Sequence, residues 1–214
     1  MLRCVLSPSP STVKSMTEHT EHTNRLVVLA GPTAVGKGTV EKKLFEDHPD
    51  IWLSVSATTR DPRPGEVNGV NYFFMTPDEF VAKEAEGEFL ETAIVHGVHH
   101  YGTPSTPVFK HLRAGVPSML EIDVQGVHAV RARAAELGLE PIFVFLAPPS
   151  FEELEARLKG RGTETEEQQQ RRLQTARHEL ELQDEFDVVI VNDEVDRAAA
   201  ELWTVFEKAM GSEK

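Results

Sequence analysis

One short segment limits the possible folds of this chain more than any other feature. Residues 31–37 read GPTAVGK, directly after the apolar run from Leu26 to Ala30 and before a helical stretch from Thr39 to Asp47. Glycines allow successive backbone N–H groups to point into one concavity, where the helix N-terminus adds the positive end of its dipole. Lys37 would supply a mobile charge to the outer phosphates. The segment therefore predicts a phosphate-binding loop within an α/β fold.

The residue after the lysine departs from the usual form of such a loop. That position normally carries Ser or Thr, whose hydroxyl is a ligand of Mg²⁺. Here it is Gly38, and the hydroxyl comes one residue later at Thr39. We therefore expect no protein ligand for a metal ion, whereas the phosphate prediction is unaffected.

Strand and helix signals alternate after the loop, which is the pattern of a doubly wound parallel sheet with helices on both faces. A capping box at Thr76 predicts the start of one helix. Short runs between Val70 and Gly102 predict a small antiparallel insert, and residues 1–24, rich in Ser, Thr and Pro, predict a disordered tail. The other predicted elements are strands at Ile51–Thr58, Pro117–Asp123, Pro141–Ala147 and Asp187–Val191 and helices at Val124–Leu137, Ser150–Lys159, Thr165–Gln183 and Glu194–Met210.

Composition narrows the possible partners. The chain carries 22 Lys and Arg against 35 Asp and Glu, a formal charge of −13. Such a charge repels nucleic acid and anionic lipid, so neither a nucleic acid nor a membrane is an expected partner. The single cysteine, Cys4, cannot form an intrachain disulfide. This suits a reducing compartment, and we expect a cytoplasmic protein. The oligomeric state is not readable from the sequence.

A second group of residues suited to anions follows the strand predicted at Ile51–Thr58. Arg60 and Arg63 stand three residues apart among prolines, so they project from an extended loop, where their guanidinium groups could hold an anionic oxygen. The alternative is a solvated loop in which both arginines pair with Asp61 and Glu66. The segment alone does not decide between these interpretations.

The third basic cluster surrounds a glycine-rich break at residues 160–162. Residues 157–177 hold six basic groups and only three acids, which inverts the ratio of the whole chain. Basic groups at a flexible break favour a lid that closes on phosphate. A polar helix with a solvated charged face is the alternative. The basic residues are Arg157, Lys159, Arg161, Arg171, Arg172 and Arg177.

Taken in order, the motifs of the chain resemble those of the guanylate kinase family. They are SVSATTRDPRPGEVNGVNYFF, FLE, YGT, LEIDVQG, FLAPPS, GRGTETEE and VIVND, within residues 25–210. The resemblance implies a P-loop, three-layer α/β/α core at residues 25–56, 104–156 and 176–210. It also implies a mixed α/β GMP-binding insert at about 57–103 and a mobile lid at about 157–175. The implied reaction is Mg²⁺-dependent phosphoryl transfer from ATP to GMP, with Mg²⁺ bound to the ATP.

The same resemblance implies roles for individual residues. The GMP phosphate would be held by Arg60, Arg63, Tyr72 and Tyr101. The guanine end would be read by Ser56, Glu91, Thr103 and Asp123, with Glu66 and Glu121 as supporting acids. ATP would be bound by Gly31, Pro32, Thr33, Ala34, Val35, Gly36, Lys37, Gly38 and Thr39, with Arg157 and Asn192 on the adenine side. The catalytic residues would be Lys37, Arg60, Arg161 and Arg172.

Two alternative functions and one departure from the family pattern stay open at this stage. A guanylate-kinase-like domain could bind phosphopeptides without catalysis, although Lys37, Arg161 and Arg172 are all present. The pair Gly38-Thr39 resembles the adenylate kinase form of the loop and would fit an AMP-specific kinase. The hairpin at residues 97–100 is one residue longer than usual, so the roles of Tyr101 and Thr103 depend on a turn that absorbs the extra residue.

Overall fold

The computed structural model describes residues 25–95, 98–160 and 165–211. The predicted tail at residues 1–24 lies outside them. So does Arg161, which was predicted to be catalytic.

Five parallel strands form the central sheet, so the predicted parallel core is confirmed. Their spatial order is β2-β7-β1-β8-β9. All of them except β7 (sequence SMLE) are purely apolar, and β1 and β8 are fully buried, as expected for strands covered on both faces. The strands are β1 (Val27–Ala30), β2 (Trp52–Leu53), β7 (Ser118–Glu121), β8 (Ile142–Ala147) and β9 (Val188–Val191).

A second sheet of four strands has the order β4-β3-β6-β5. Its pairs are antiparallel except β3 with β4, which is parallel, so the prediction of an antiparallel insert was wrong on this point. The parallel pair arises because the chain between β3 and β4 makes a loop long enough to return in the same direction. The strands are β3 (Ala57–Thr58), β4 (Phe73–Phe74), β5 (Phe89–Val95) and β6 (His99–Pro104).

The prediction of one strand over Ile51–Thr58 was also wrong. The structure divides this stretch into β2 in the parallel sheet and β3 in the second sheet, with Ser54, Val55 and Ser56 between them. The chain leaves one sheet and joins the other within three residues. An alternating pattern alone does not reveal such a transfer, since both short strands keep extended backbone.

Seven α-helices and one 3₁₀ helix lie within the described residues. The Thr76 capping box is confirmed, because its hydroxyl accepts from the backbone N–H of Glu79 and its own N–H donates to the Glu79 carboxylate. None of these helices is long and apolar enough to cross a membrane. The α-helices are α1 (Lys37–Asp47), α2 (Pro77–Ala85), α3 (Ser105–Arg113), α4 (Val124–Leu137), α5 (Phe151–Gly160), α6 (Glu166–Glu181) and α7 (Val195–Ala209), and Gln183–Glu185 form the 3₁₀ helix.

Two apolar clusters cover the two faces of the parallel sheet. Alternate β1 side chains divide between them, with Val27 and Leu29 in one cluster and Val28 and Ala30 in the other. This packing fixes the carboxyl ends of β1 and β7 side by side. The loop before α1 and the residues that follow β7 therefore open onto the same edge of the sheet, which is where open α/β sheets bind ligands.

Candidate active site

A cavity of about 590 Å³ opens at this edge, between the parallel sheet, the second sheet and α6. Its volume is within the range typical of small-molecule sites. The wall combines residues of the phosphate loop and of the third basic cluster with several that the sequence did not single out. The arginines of the second cluster, Arg60 and Arg63, are not among the residues that line it. The polar and glycine residues of the wall include Gly31, Thr33, Lys37, Ser56, Tyr72, Glu91, Tyr101, Glu121, Asp123, Arg171, Arg172, Thr175 and Glu179.

The loop between β1 and α1 forms one end of the cavity. Gly36 is the N-cap of α1 with a left-handed backbone (φ 102°), and α1 begins at Lys37, two residues earlier than predicted. The Lys37 ammonium group donates to the carbonyl oxygen of Gly31 at 2.8 Å and lies 3.9 Å from a Glu121 carboxylate oxygen. Lys37 therefore bends back across the mouth of the loop, where an anion would meet both the ammonium group and the helix N-terminus.

A buried carboxyl group lies behind Lys37. Glu41 is 6% exposed, and its Oε1 atom has no hydrogen-bond partner among the described residues. Burial, assisted by the nearby negative charge of Glu121 and opposed by Lys37, raises the pKa of Glu41 to about 8. At neutral pH Glu41 is therefore mostly uncharged and does not cancel the positive charge of Lys37.

Arg60 is fixed in place by side chains of the second sheet and its loops. Its two terminal nitrogens donate to the two carboxylate oxygens of Glu66, each at 2.9 Å, and its Nε donates to the Tyr101 hydroxyl at 3.3 Å. The guanidinium carbon lies 5.4 Å from the centre of the Tyr72 ring. Glu66 also accepts the backbone N–H of Arg63, whose side chain is exposed. Of the two interpretations of this segment, the ion-paired loop is thus present for Arg60, which pairs with Glu66. The same contacts fix the guanidinium group in an orientation in which it could also meet an anion.

Glu91 and Thr103 form a buried pair at the far end of the cavity. They are opposite each other on β5 and β6, and the Thr103 hydroxyl donates to Glu91 Oε1 at 2.8 Å. Glu91 is 7% exposed. Burial raises the pKa of Glu91 to about 7, with Thr103 opposing the shift and Asp123 adding to it. The two strands stay paired from Glu91 with Thr103 to Val95 with His99. Residues 96 and 97, within the hairpin that the sequence predicts to be longer than usual, lie outside the described residues.

Asp123 and Gly126 shape the wall beside this pair. The Asp123 carboxylate caps α4 by accepting the Gly126 N–H at 2.7 Å. A Cβ atom at Gly126 would lie 3.3 Å from both Asp123 Oδ1 and Glu91 Oε2. The glycine therefore allows the two acids to approach each other, which helps to keep the Glu91 carboxyl group protonated at a higher pH than usual.

The predicted lid, at about residues 157–175, lies within the described ranges except for residues 161–164. Arg172 lines the cavity from α6, together with Thr175 and Glu179. Glu179 was not predicted; it is 8% exposed, and burial raises its pKa to about 7, with Asp123 adding to the shift and Lys37 opposing it. Glu179 follows Arg172 by seven residues, so a helical projection of this segment would have placed both on one face.

Arg157 and Asn192, predicted on the adenine side, both contact the loop before α1. Each donates to the carbonyl oxygen of Val35. The cavity thus brings together the loop, the buried Glu91 and Arg172. Arg60 reaches it only through its contacts with Tyr72 and Tyr101, which line the wall. No group of three or more His, Cys, Asp or Glu residues suited to holding a metal ion occurs in the described ranges.

A parallel sheet that ends in a glycine-rich loop, with a lysine at the start of the next helix, defines the P-loop class of nucleotide-binding proteins. Comparison with known proteins gives the narrower assignment. The family model described as guanylate kinase matches residues 23–209. The guanylate kinase of Bifidobacterium longum (strain NCC 2705) is 68% identical over 196 residues, covering 92% of this chain and 100% of that protein.

Two further comparisons agree. The guanylate kinase of Synechococcus sp. (strain CC9902) is 54% identical over 183 residues, covering 86% of this chain and 95% of that protein. The crystal structure of guanylate kinase from Anaplasma phagocytophilum superimposes with a TM-score of 0.69 at 32% identity, covering 85% of this chain and 84% of that one. The chain belongs to the guanylate kinase family.

Proposed function

We propose that this protein transfers the γ-phosphoryl group of ATP to GMP, giving ADP and GDP. The observation that carries the proposal is one cavity with the phosphate loop at one end and, at the other, the buried Glu91 carboxylate that accepts a hydrogen bond from Thr103. Two substrates bound from opposite ends would bring their phosphates together in the middle. Positioning of this kind accounts for much of the rate enhancement in phosphoryl transfer.

Glu91 is the proposed reader of the guanine base. An anionic carboxylate can accept from the N1–H and the exocyclic amine of guanine together, whereas adenine has an unprotonated N1 at the same place. The Thr103 hydroxyl already donates to one Glu91 oxygen, which fixes the rotamer of the carboxylate. Ser56 and Asp123 line the same wall, so they complete the base subsite in this proposal.

The proposed GMP phosphate subsite contains Arg60, Arg63, Tyr72 and Tyr101. Arg60 is oriented by Glu66 and by the Tyr101 hydroxyl before any substrate binds. A guanidinium group that is already fixed loses less side-chain entropy when it binds an anion. Arg63 is exposed, and we propose that it completes the subsite by swinging onto the phosphate.

The proposed chemistry is an in-line displacement. A GMP phosphate oxygen attacks the γ-phosphorus, the new P–O bond forms, and the bond to the β–γ bridging oxygen breaks with its electron pair leaving on ADP. The attacking oxygen is already anionic, so no general base is required. Lys37, Arg161 and Arg172 stabilise the charge of the migrating group; one arginine in this position is worth roughly 10³ to 10⁵ in rate in related enzymes.

Mg²⁺ belongs to this proposal as a companion of ATP, where it neutralises phosphate charge. In this proposal the ion is held by phosphate oxygens and water, since Gly38 has no side-chain oxygen to offer at the position after Lys37. We further propose that residues of about 157–175 act as the lid over both nucleotides. The cytoplasm is the compartment proposed, since both substrates are nucleotides of central metabolism.

The decisive experiment measures ADP release by the purified protein with ATP and each of GMP, dGMP, AMP, UMP and CMP in separate reactions. Rapid turnover of GMP with little turnover of AMP is expected. Comparable rates with AMP and GMP would favour the AMP kinase suggested by Gly38-Thr39. The absence of turnover with every acceptor, combined with retained GMP binding, would favour a non-catalytic binding domain.

A further inference from the structure

The carbonyl group of Val35 is held by two side chains from distant parts of the chain. Asn192, just after β9, donates its amide N–H to this oxygen at 2.8 Å, and Arg157, on α5, donates from Nη1 at 3.2 Å. The second terminal nitrogen of Arg157 donates to the backbone oxygen of Asn192 at 3.1 Å. The three groups therefore form one connected set of hydrogen bonds, which we name the Val35 clamp.

The local backbone explains why a clamp is useful at this position. Val35 stands between two residues with left-handed backbone, Ala34 (φ 64°) and Gly36 (φ 102°), and Ala34 is the one non-glycine residue with positive φ in the described ranges. Left-handed backbone is unfavourable for a non-glycine residue such as Ala34 and persists only where the surroundings impose it. The two hydrogen bonds on Val35 are a source of that constraint.

The direction of the Val35 carbonyl also bears on phosphate binding. A phosphate loop attracts an anion because its N–H groups point inward, and a carbonyl oxygen turned inward would repel the anion. The clamp holds the oxygen of Val35 toward α5 and the end of β9. It therefore favours the loop conformation in which neighbouring N–H groups can face the phosphates.

Asn192 is well suited to this role. Its side chain is 3% exposed, and its backbone N–H is fixed by the Ala147 carbonyl at 2.8 Å. A Cβ atom at Gly36 would lie 2.5 Å from the Asn192 amide nitrogen, which shows how closely the amide approaches the loop. The amide nitrogen is thus committed to the loop and is not directed at open solvent.

We propose that Asn192 and Arg157 are positioning residues that set the affinity of the loop for polyphosphate by holding the Val35 carbonyl outward. The proposal deepens the proposed function and rests on it for the identity of ATP as the ligand. It differs from a contact with adenine, because a clamp acts on any polyphosphate, whether or not a base is attached.

Inorganic tripolyphosphate separates the two roles, since it carries no base. Isothermal titration of the full chain with Mg²⁺–tripolyphosphate and with Mg²⁺–ATP would be compared for wild type, Asn192→Ala and Arg157→Lys. The clamp predicts that Asn192→Ala weakens both ligands by a similar factor, about tenfold. Arg157→Lys keeps the positive charge but loses the two-pronged donor, and should weaken both ligands by a smaller common factor.

A matched control and a kinetic readout complete the test. Arg133→Lys makes the same substitution at a partly exposed arginine of α4 that pairs with Glu136, and it should change neither affinity. In the kinase assay the clamp variants should raise the KM for ATP while the KM for GMP and kcat at saturating ATP stay within about twofold of wild type. A general loss of structure would instead alter all three values.

The proposal is overturned if the clamp variants, folded by thermal melting, bind tripolyphosphate as wild type does and lose affinity for ATP alone. That result would assign both residues to the adenine. Asn192 is buried, so Asn192→Ala could prevent folding. In that case the affinities of Arg157→Lys for tripolyphosphate and for ATP provide the test. A wild-type chain that binds tripolyphosphate through the clamp but does not phosphorylate GMP would contradict the proposed function and leave this inference standing.

Discussion

The two ends of the cavity are constructed differently. At the phosphate-loop end the geometry is set by the main chain, with left-handed backbone at Gly36 and a carbonyl held from outside at Val35. At the other end it is set by pairs of side chains, Arg60 with Glu66 and Thr103 with Glu91. A main-chain site can bind any phosphate, whereas a side-chain site can distinguish one base from another. If the proposed function holds, affinity for phosphate resides at the loop end and selectivity for the base at the Glu91 end.

The largest expected effect tests the selective end. We expect Glu91→Gln to lower kcat/KM for GMP by roughly 10² to 10⁴, because the amide offers one oxygen and a wrongly placed donor where two hydrogen bonds to a charged group are needed. AMP should be affected little. Steady-state kinetics with both acceptors measure the change.

Glu86→Gln is the matched control, since Glu86 is exposed on the same segment just after α2. It should leave both acceptors unchanged. A Glu91→Gln enzyme that phosphorylates GMP within a few-fold of wild type would remove Glu91 from base recognition and, with it, the contrast between the two ends.

A steric test probes the main-chain end. Gly31 packs so closely on β8 that a Cβ atom would enter contact distance of the Leu146 carbonyl oxygen, a backbone atom that cannot move aside easily. Gly31→Ala should therefore cost about 1 to 3 kcal/mol of stability, as overpacking does. For a domain of this size that lowers Tm by roughly 2 to 12 °C. Thermal unfolding of the apo protein measures it.

Gly38→Ala provides the comparison in the first turn of α1, directly after the loop. No atom lies within 4 Å of a Cβ at Gly38, and alanine is the better helix former by up to about 1 kcal/mol. Its Tm should stay the same or rise. Equal losses in the two variants would show that the strain at Gly31 is not specific to its contact with β8.

Sequence reasoning reached the phosphate-loop end of the cavity more directly than the Glu91 end, for a physical reason. Seven consecutive residues define the phosphate loop, since the requirement for glycine and lysine is local. The Arg60–Glu66 pair was only one of two interpretations, because a local sequence does not fix which partner a long side chain chooses. Glu91 and Thr103 were identified as site residues only from the resemblance to the family. Their spacing in the sequence does not show that they lie opposite each other on two strands.

Other features of the structure could not be predicted from the sequence, because they depend on packing between distant segments. The break between β2 and β3 depends on which sheet each short strand joins. Glu41 was not singled out in the sequence, and the structure buries it close to Lys37 and Glu121. The contacts of Arg157 and Asn192 with Val35 span more than a hundred residues of chain, so no motif could show them.

The pH dependence of guanosine affinity gives a second test of the Glu91 end of the cavity. Burial raises the pKa of Glu91 to about 7, and only the anionic form can accept two guanine donors. The affinity for the base should therefore be full above pH 7 and fall toward tenfold for each pH unit below it. Guanosine is the probe, because it has no phosphate that titrates in this range.

The matched measurement uses Glu91→Gln, whose weaker guanosine affinity should not change between pH 5.5 and 8.5. Calorimetric titration at several pH values gives both curves. A wild-type affinity that is independent of pH over this range would show that the carboxyl group is ionised throughout, contrary to the effect expected from its burial.

The smallest expected effect is on the Mg²⁺ requirement, and it is tested at Gly38, next to the phosphate loop. Gly38 offers no oxygen to Mg²⁺, and Thr39 sits about 100° further round α1, so its hydroxyl is better placed for nucleotide phosphates than for the ion. Gly38→Ser supplies the missing hydroxyl at an exposed position with open space around its Cβ. We expect the Mg²⁺ concentration for half-maximal rate to fall a few-fold, while the KM for GMP stays unchanged, because the base end is untouched. Gly38→Ala controls for the change in helix propensity and should leave the Mg²⁺ titration as in wild type. A serine variant that titrates as wild type does would contradict this expectation. A Thr39 hydroxyl about 2.1 Å from the ion in a complex with ATP would show that the ion has a protein ligand.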